Sequence, residues 1–231
     1  TRVYHYDNLA SHILGYVNNE GQGVMGVSEY FDEELNGEDG SRLIQKNALG
    51  GMVTVEDEYI NPAVSGDNFY LTIDKGYQFI LEDELKKDVE EYGAVSGTGI
   101  IMNPNTGEVL ALANIDDFNP NEYWKYNDFQ RRNRALTDTY EPGSTFKSFT
   151  IASLIDQKLC RLNEKLYLEH GKYKYQNVNI KDTHPFNSLN VVEIIEQSSN
   201  IGVAKLVQRI DDEKYFKYLR GFGFGNSTSL T

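Results

Sequence analysis

A serine and a lysine three residues apart, Ser144 and Lys147, are the side chains of this sequence best suited to nucleophilic chemistry. Glu141-Pro142 disfavours helix before them, and the apolar run at 149–155 predicts a helix after them. Positions i and i+3 share a helix face, so we expect the hydroxyl and the amine to lie side by side at the helix N-terminus. A serine hydroxyl needs an adjacent base, and a lysine in a dry site can lose its proton and act as that base.

The spacing alone is a weak signal, because Ser-x-x-Lys is expected about once by chance in a chain of this length. By itself it more often marks a solvated start of a helix. The surroundings favour the catalytic interpretation, since a charged Lys147 one turn inside an apolar helix is costly unless it is paired or functional.

A second polar cluster, Ser198-Ser199-Asn200, interrupts a helical stretch that runs from about residue 191 to residue 210. Ser and Asn compete for backbone hydrogen bonds, so they favour a turn between two helices. A hydroxyl and a carboxamide held there could relay a proton and bind a substrate amide. Most Ser/Asn junctions are only helix caps, so this cluster gains weight from its pairing with Ser144 and Lys147.

Composition limits the possible functions. The 231 residues can form one large or two modest domains, and the net charge of −13 argues against nucleic acid or an anionic membrane surface as partners. The single Cys160 excludes an internal disulfide, and its apolar neighbours indicate packing. The four histidines lack metal-ligand spacing, so we predict no metal: His5, His12, His170 and His184.

The sequence shows no signal peptide and no apolar run that could span a bilayer. The protein is therefore cytoplasmic or has lost a targeting segment. Because the chain opens on Thr1 and not on methionine, we favour the second possibility.

Residues 1–67 form a predicted small N-terminal domain, bounded by a polar, turn-rich segment at 61–68. We expect a short helix at 7–14 and a second helix that Ser28 caps and Asn36-Gly37 ends. Two short alternating runs, at 42–45 and 52–56, predict a hairpin.

A second domain is predicted over residues 68–231. Its expected elements are a strand at 69–73, then a helix capped by Asp74 and ended by Gly93, then a hairpin of strands 98–102 and 108–112. We expect the helix to pack through one apolar stripe, formed by Tyr77, Leu81, Leu85, Val89 and Tyr92. The aromatic segment 114–140 is predicted to be an ordered surface loop whose aromatic side chains pack on one another; the alternative is the wall of a substrate groove. Residues 161–187 are predicted to be loop.

The motif Ser144-Thr145-Phe146-Lys147, followed about fifty residues later by Ser198-Ser199-Asn200, resembles the first two active-site motifs of the penicillin-binding proteins, in particular the class B transpeptidases. The resemblance spans nearly the whole chain. It is also carried by five further stretches: Arg132-Asn133-Arg134-Ala135, Tyr140-Glu141-Pro142-Gly143, Gln197 to Gly202, Asn103 to Val109, and His12 to Val17.

The resemblance implies a peptidoglycan D,D-transpeptidase that is acylated by β-lactams and needs no cofactor. Ser144 would be the acylated nucleophile and Lys147 its base, Ser198 would pass the proton to the leaving D-alanine, and Asn200 would hold the substrate peptide. The implied partners are stem peptides ending in D-Ala-D-Ala, β-lactams and other cell-wall synthesis or division proteins. The implied location is the outer side of the bacterial cell membrane, reached through an N-terminal anchor.

The fold implied is an α+β pedestal domain followed by a partial α/β transpeptidase domain, with helices on an antiparallel sheet. The family's third motif, Lys-Thr-Gly or Lys-Ser-Gly, does not occur in this sequence. We therefore expect an N-terminal portion of a longer protein, inactive or marginally stable alone because part of the sheet is missing.

Two other functions fit the same motifs. A serine β-lactamase could use Ser144 and Lys147 in the same way, and the lifetime of the acyl-enzyme distinguishes it from a transpeptidase. A noncatalytic scaffold or β-lactam sensor would bind in the pocket without turnover.

Overall fold

The structure is a computed structural model that describes residues 2–42, 45–46, 48–50, 52–53 and 60–228. Two compact units form the chain, one ending at Asp138 and the other beginning at Thr139. The first unit extends beyond residue 67 because the later segment packs on its N-terminal residues. The ring of Phe118, which is fully buried, lies edge-on to His12 at 5.4 Å and to Tyr16 at 5.9 Å between centroids. A compact unit can contain parts of more than one domain, so the predicted domain boundary at residue 67 stays a prediction.

The N-terminal part of the first unit consists of very short elements: α1 (Ser11–Leu14), β1 (Tyr16–Val17), β2 (Gly23–Val24), α2 (Gly26–Tyr30), α3 (Asp32–Asn36), β3 (Ser41–Arg42), β4 (Gln45–Lys46), β5 (Met52–Val53) and β6 (Ile60–Asn61). The predicted hairpin is confirmed for the part of it that the structure describes, because β4 pairs with β5. Residues 43–44 and 54–56 of that prediction lie outside the described residues.

The prediction that Ser28 caps a helix is wrong. Ser28 lies inside α2, which Met25 precedes as the capping position, and the Ser28 hydroxyl donates to the carbonyl oxygen of Leu14 at 2.7 Å. The predicted single helix is two helices, because the chain leaves helical geometry at Phe31. The predicted end at Asn36-Gly37 is confirmed.

The larger elements of the first unit are α4 (Lys75–Tyr92), β7 (Gly97–Met102), β8 (Val109–Ile115), a 3₁₀ segment (Pro120–Lys125), α5 (Asp128–Arg131) and α6 (Arg134–Thr137). Asp74 caps α4 and Gly93 ends it, as predicted. The antiparallel hairpin of β7 and β8 is also confirmed.

Helix α4 packs on this hairpin through a narrower stripe than predicted. Leu81, Leu85 and Val89 are partly buried, whereas Tyr77 and Tyr92 are exposed. Glycines on β7 permit the close approach, since a Cβ at Gly97 would lie 2.8 Å from Val89 and one at Gly99 would lie 2.8 Å from Leu81.

The predicted strand at 69–73 is wrong: these residues form no strand, and the edge of β8 bonds to single groups of Thr72, Asp74 and Gln78. The Thr72 hydroxyl donates to the carbonyl oxygen of Val109 at 2.6 Å, and the Asp74 backbone N–H donates to that of Leu110 at 2.8 Å. The fully buried Gln78 then bonds both backbone groups of Leu112, accepting from its N–H at 2.9 Å and donating to its carbonyl oxygen at 2.8 Å.

The second unit contains a 3₁₀ turn (Gly143–Phe146), α7 (Lys147–Asp156), β9 (Lys165–Tyr167), a 3₁₀ turn (Glu169–Gly171), β10 (Lys172–Tyr175), β11 (Val178–Lys181), β12 (Ser188–Asn190), α8 (Val191–Glu196), α9 (Asn200–Val207) and α10 (Asp212–Gly221). Buried residues of α7, α8, α9, β9 and β12 form its core, which includes Cys160. The predicted helices before and after the polar interruption are confirmed, with α9 beginning at Asn200, inside the predicted break, and ending at Val207.

The prediction of loop at 161–187 is wrong, because β9, β10 and β11 lie there. Each of β10 and β11 has only one side chain that is not exposed, Tyr173 and Ile180, and these two are paired across the strands. Helix α10 was not predicted. Every described strand pair is antiparallel, and no described helix is both long and apolar enough to cross a membrane.

Gln78→Leu should lower the free energy of unfolding by about 2 kcal/mol or more, because it leaves the N–H and carbonyl of Leu112 without partners in a buried strand. Urea unfolding measures this change. The control is Asp88→Leu at an exposed site of the same helix, expected to change stability by at most about 0.5 kcal/mol. Equal stability of the two variants would contradict the role given to Gln78.

Candidate active site

The start of α7 presents the first pair of predicted site residues. Gly143 has φ 56°, a conformation that glycine adopts without strain, and it opens the 3₁₀ turn that runs into the helix. Ser144 is exposed on this turn and Lys147 is partly buried one turn later. The predicted placement at a helix start is therefore confirmed.

Ser198 completes a hydrogen-bonded line with this pair. Its hydroxyl donates to the Ser144 oxygen at 2.7 Å, and the Lys147 amine donates to the Ser198 hydroxyl at 3.0 Å. The same amine donates to the Ser198 carbonyl oxygen at 2.6 Å. The lysine thus reaches the Ser144 hydroxyl through Ser198, and the three groups can exchange protons along one line.

The junction of α8 and α9 positions Ser198. The residue has φ 53°, a left-handed conformation that costs energy for a serine. Immediately after it, the buried Ser199 caps α9 by accepting from the Gly202 N–H at 2.9 Å. A local turn, and not a continuous helix, therefore directs both the hydroxyl and the carbonyl of Ser198 towards Lys147.

Asn200, the fourth predicted residue, is exposed at the first position of α9. Its amide nitrogen donates to the backbone carbonyl of Lys181 at 2.9 Å. That contact fixes the plane of the carboxamide and leaves its oxygen as the group that could accept a hydrogen bond from a ligand.

The environment of Lys147 favours loss of its proton. Burial lowers the pKa of the ammonium group, and the Asp182 carboxylate acts in the opposite direction. The net lowering makes Lys147 more readily neutral, and therefore a better proton acceptor, than an exposed lysine.

Two features of this region were not predicted from the sequence. Asp182 accepts hydrogen bonds from the turn that carries Ser198, and no local pattern identifies it. Phe222 and Phe224, in the glycine-rich segment after α10, pack on Phe149 with ring centroids 5.1 and 5.0 Å away, and Phe224 also lies 5.0 Å from Phe146. Among the described residues, no cluster of His, Cys, Asp and Glu side chains could hold a metal ion.

An exposed serine that accepts from a second serine, which in turn accepts from a lysine whose pKa is lowered by burial, is typical of enzymes that transfer acyl groups through a serine ester. The chain belongs to the penicillin-binding protein family. The model of the penicillin binding protein transpeptidase domain matches residues 97–231, and that of the penicillin-binding protein dimerisation domain matches residues 1–71. The predicted resemblance and fold class, with helices and antiparallel sheets, are thereby confirmed.

Similar proteins are named as peptidoglycan D,D-transpeptidases or penicillin binding proteins. The chain is 36% identical over 225 residues to a probable peptidoglycan D,D-transpeptidase, PenA, of Neisseria meningitidis, covering 97% of this chain and 38% of that protein. It is 32% identical over 229 residues to the peptidoglycan D,D-transpeptidase FtsI of Escherichia coli, covering 99% and 38%. Penicillin binding protein 3 of Mycobacterium tuberculosis, solved with ampicillin, superposes with a TM-score of 0.85 at 28% identity, covering 99% and 47%. The chain spans less than half the length of these proteins.

Gly202→Ala should destabilise the second unit by about 1–3 kcal/mol, because the new Cβ would lie within 2.6–2.8 Å of three atoms of the buried Ile194 and would separate α8 from α9. Gly221→Ala is the matched control. Its Cβ meets no atom within 4 Å, so we expect no loss and a gain of up to about 1 kcal/mol from helix propensity. Thermal unfolding of both variants measures the difference, and equal Tm values would contradict the packing argument.

Proposed function

We propose that the protein containing this chain is a peptidoglycan D,D-transpeptidase that works through an acyl-enzyme on Ser144. The observation that carries the proposal is the line Lys147–Ser198–Ser144, with contacts of 3.0 and 2.7 Å, in a chain whose relatives bear that name. The contacts among the three side chains indicate acyl transfer through Ser144, and the names of the relatives indicate peptidoglycan as the substrate class.

In the first step the Ser144 oxygen attacks the carbonyl carbon between the two D-alanines of a stem peptide. The Ser144 proton moves along the line to neutral Lys147, directly or through Ser198. As the C–N bond breaks, Ser198 delivers a proton to the amine of the departing D-alanine. The products are a peptidyl ester of Ser144 and free D-alanine.

In the second step the amine of another stem peptide attacks the ester, and the proton it gives up returns to the Ser144 oxygen as that oxygen leaves. A peptide cross-link forms and the enzyme is restored. Exposure of Ser144 and Ser198 allows peptides to approach in both steps. Asn200 would accept a hydrogen bond from the bound peptide through its free carboxamide oxygen.

Partners and location follow from the same proposal. Stem peptides ending in D-Ala-D-Ala would be substrates, and β-lactams would acylate Ser144; a related penicillin binding protein has been solved with ampicillin. The region matched by the dimerisation model, residues 1–71, would contact other cell-wall synthesis or division proteins. We place the site on the outer side of the cell membrane, with an anchor preceding the chain.

A stable covalent adduct should form when the protein encoded by the complete reading frame around these residues is exposed to a penicillin. Intact mass followed over time measures it, with Ser144→Ala as the control that should gain no mass. An adduct that disappears within seconds would favour a β-lactamase. The absence of any adduct would contradict the proposal and favour a noncatalytic scaffold.

Lys147→Ala should slow acylation by about 10²-fold or more, because a general base is lost. In the unchanged protein the rate should rise with pH as Lys147 becomes neutral, with a midpoint below the ordinary range of lysine because burial lowers its pKa. Rates of adduct formation across pH measure both effects. Lys205→Ala is the control, since that amine pairs with Glu169 at 2.8 Å. Normal acylation by Lys147→Ala would show that another group is the base.

A further inference from the structure

Asp182, in the loop between β11 and β12, bonds the first turn of α9 from outside the helix. One carboxylate oxygen accepts from the Ser199 hydroxyl at 2.7 Å, and the other accepts from the Ile201 backbone N–H at 3.0 Å. Ser199 is fully buried and Asp182 is partly buried, so water competes little for these bonds. A distant segment of the chain therefore supplies acceptors that this helix end needs.

The preceding residue strengthens the same attachment. The backbone carbonyl of Lys181 accepts from the Asn200 side chain at 2.9 Å. Two consecutive residues, 181 and 182, thus hold three consecutive ones, 199 to 201. We call this set of three hydrogen bonds the loop clamp.

The loop clamp adjoins the one strained residue of the site. Ser198 keeps its left-handed backbone at φ 53°. A non-glycine residue stays in this conformation only where its surroundings impose it. The residue on its C-terminal side is fixed by Asp182, and its own carbonyl and hydroxyl are fixed by Lys147.

We propose that Asp182 is a positioning residue for acyl transfer: by holding Ser199 and Ile201, it keeps Ser198 in contact with both Lys147 and Ser144. This inference rests on the acyl-transfer function proposed for the site. Asp182 touches neither substrate nor reacting atoms, and its effect passes through the turn at Ser198.

The charge of Asp182 is consistent with this role. The carboxylate raises the pKa of Lys147 and so opposes the lowering that burial causes. A lysine that must take a proton from Ser144 and hold it until the leaving group departs needs such a balance.

The test compares Asp182→Ala with Asp182→Asn in the protein encoded by the complete reading frame, using a penicillin as the acylating probe. The limiting acylation rate and the dissociation constant of the complex before acylation are measured separately. We expect Asp182→Ala to lower the limiting rate by about 10–100-fold, because displacement of Ser198 breaks the proton line, with a smaller change in the dissociation constant. Asp182→Asn should recover most of the rate, since its amide oxygen still accepts from the Ile201 N–H.

Asp211→Ala is the matched control. Asp211 caps α10 by accepting from the N–H groups of Glu213 and Lys214 at 3.1 and 3.3 Å, so its loss removes two bonds of the same kind from another helix. We expect a lower Tm and an unchanged acylation rate for this variant.

A wild-type limiting rate in Asp182→Ala would overturn the proposal, as would equal slowing in Asp182→Ala and Asp211→Ala. An Asn variant as slow as the Ala variant would also overturn it. If the Ala variant does not fold, Asp182→Asn is compared with the unchanged protein, and a limiting rate lowered by about 10-fold or more would overturn the proposal. Absence of any adduct on the unchanged protein would overturn the acyl-transfer function itself, which distinguishes that failure from failure of the clamp alone.

Discussion

The hydrogen bonds from Lys147 to the carbonyl and hydroxyl of Ser198 are the interactions on which the second unit's site depends. They join residues 51 positions apart and bring the starts of two helices together. A partly buried lysine amine needs acceptors for its N–H groups, and a serine in the left-handed conformation needs surroundings that hold it there. Each requirement is met by the other residue, so the lysine and the turn support one another.

The hydrophobic core fixes the distance over which these polar contacts act. Ile151 and Leu154 of α7, Ile194 of α8 and Ile201 of α9 are all buried in one cluster. Gly202 lets α9 lie against Ile194 with no side chain between them. Packing therefore sets the helix starts to within hydrogen-bonding range, and the polar groups then select one arrangement. Sites built on rigid elements in this way hold their groups more precisely than sites on loops.

Sequence reasoning succeeded where the determinants are local. The spacing of Ser144 and Lys147, the cap at Asp74 and the break at residues 198–200 are each encoded within a few neighbouring positions. It failed where the partner is distant. Strands β10 and β11 each have only one partly buried side chain, too few to give a pattern. Residues 69–73 form no strand, and the edge of β8 bonds to single groups of Thr72, Asp74 and Gln78. Asp182 was missed for the same reason, because its contacts lie 17 and 19 residues away.

The edge of β8 has a consequence for how the first unit's sheet can be extended. Unpaired edge strands invite further strands, and proteins often block them. Gln78 occupies both backbone groups of Leu112, and Asp74 occupies the carbonyl of Leu110. A further strand that joins this hairpin must therefore do so beside β7. The start of the neighbouring helix, through Asp74 and the buried Gln78, therefore decides on which side the sheet can grow, and the same contacts protect the edge of β8 from pairing with other chains.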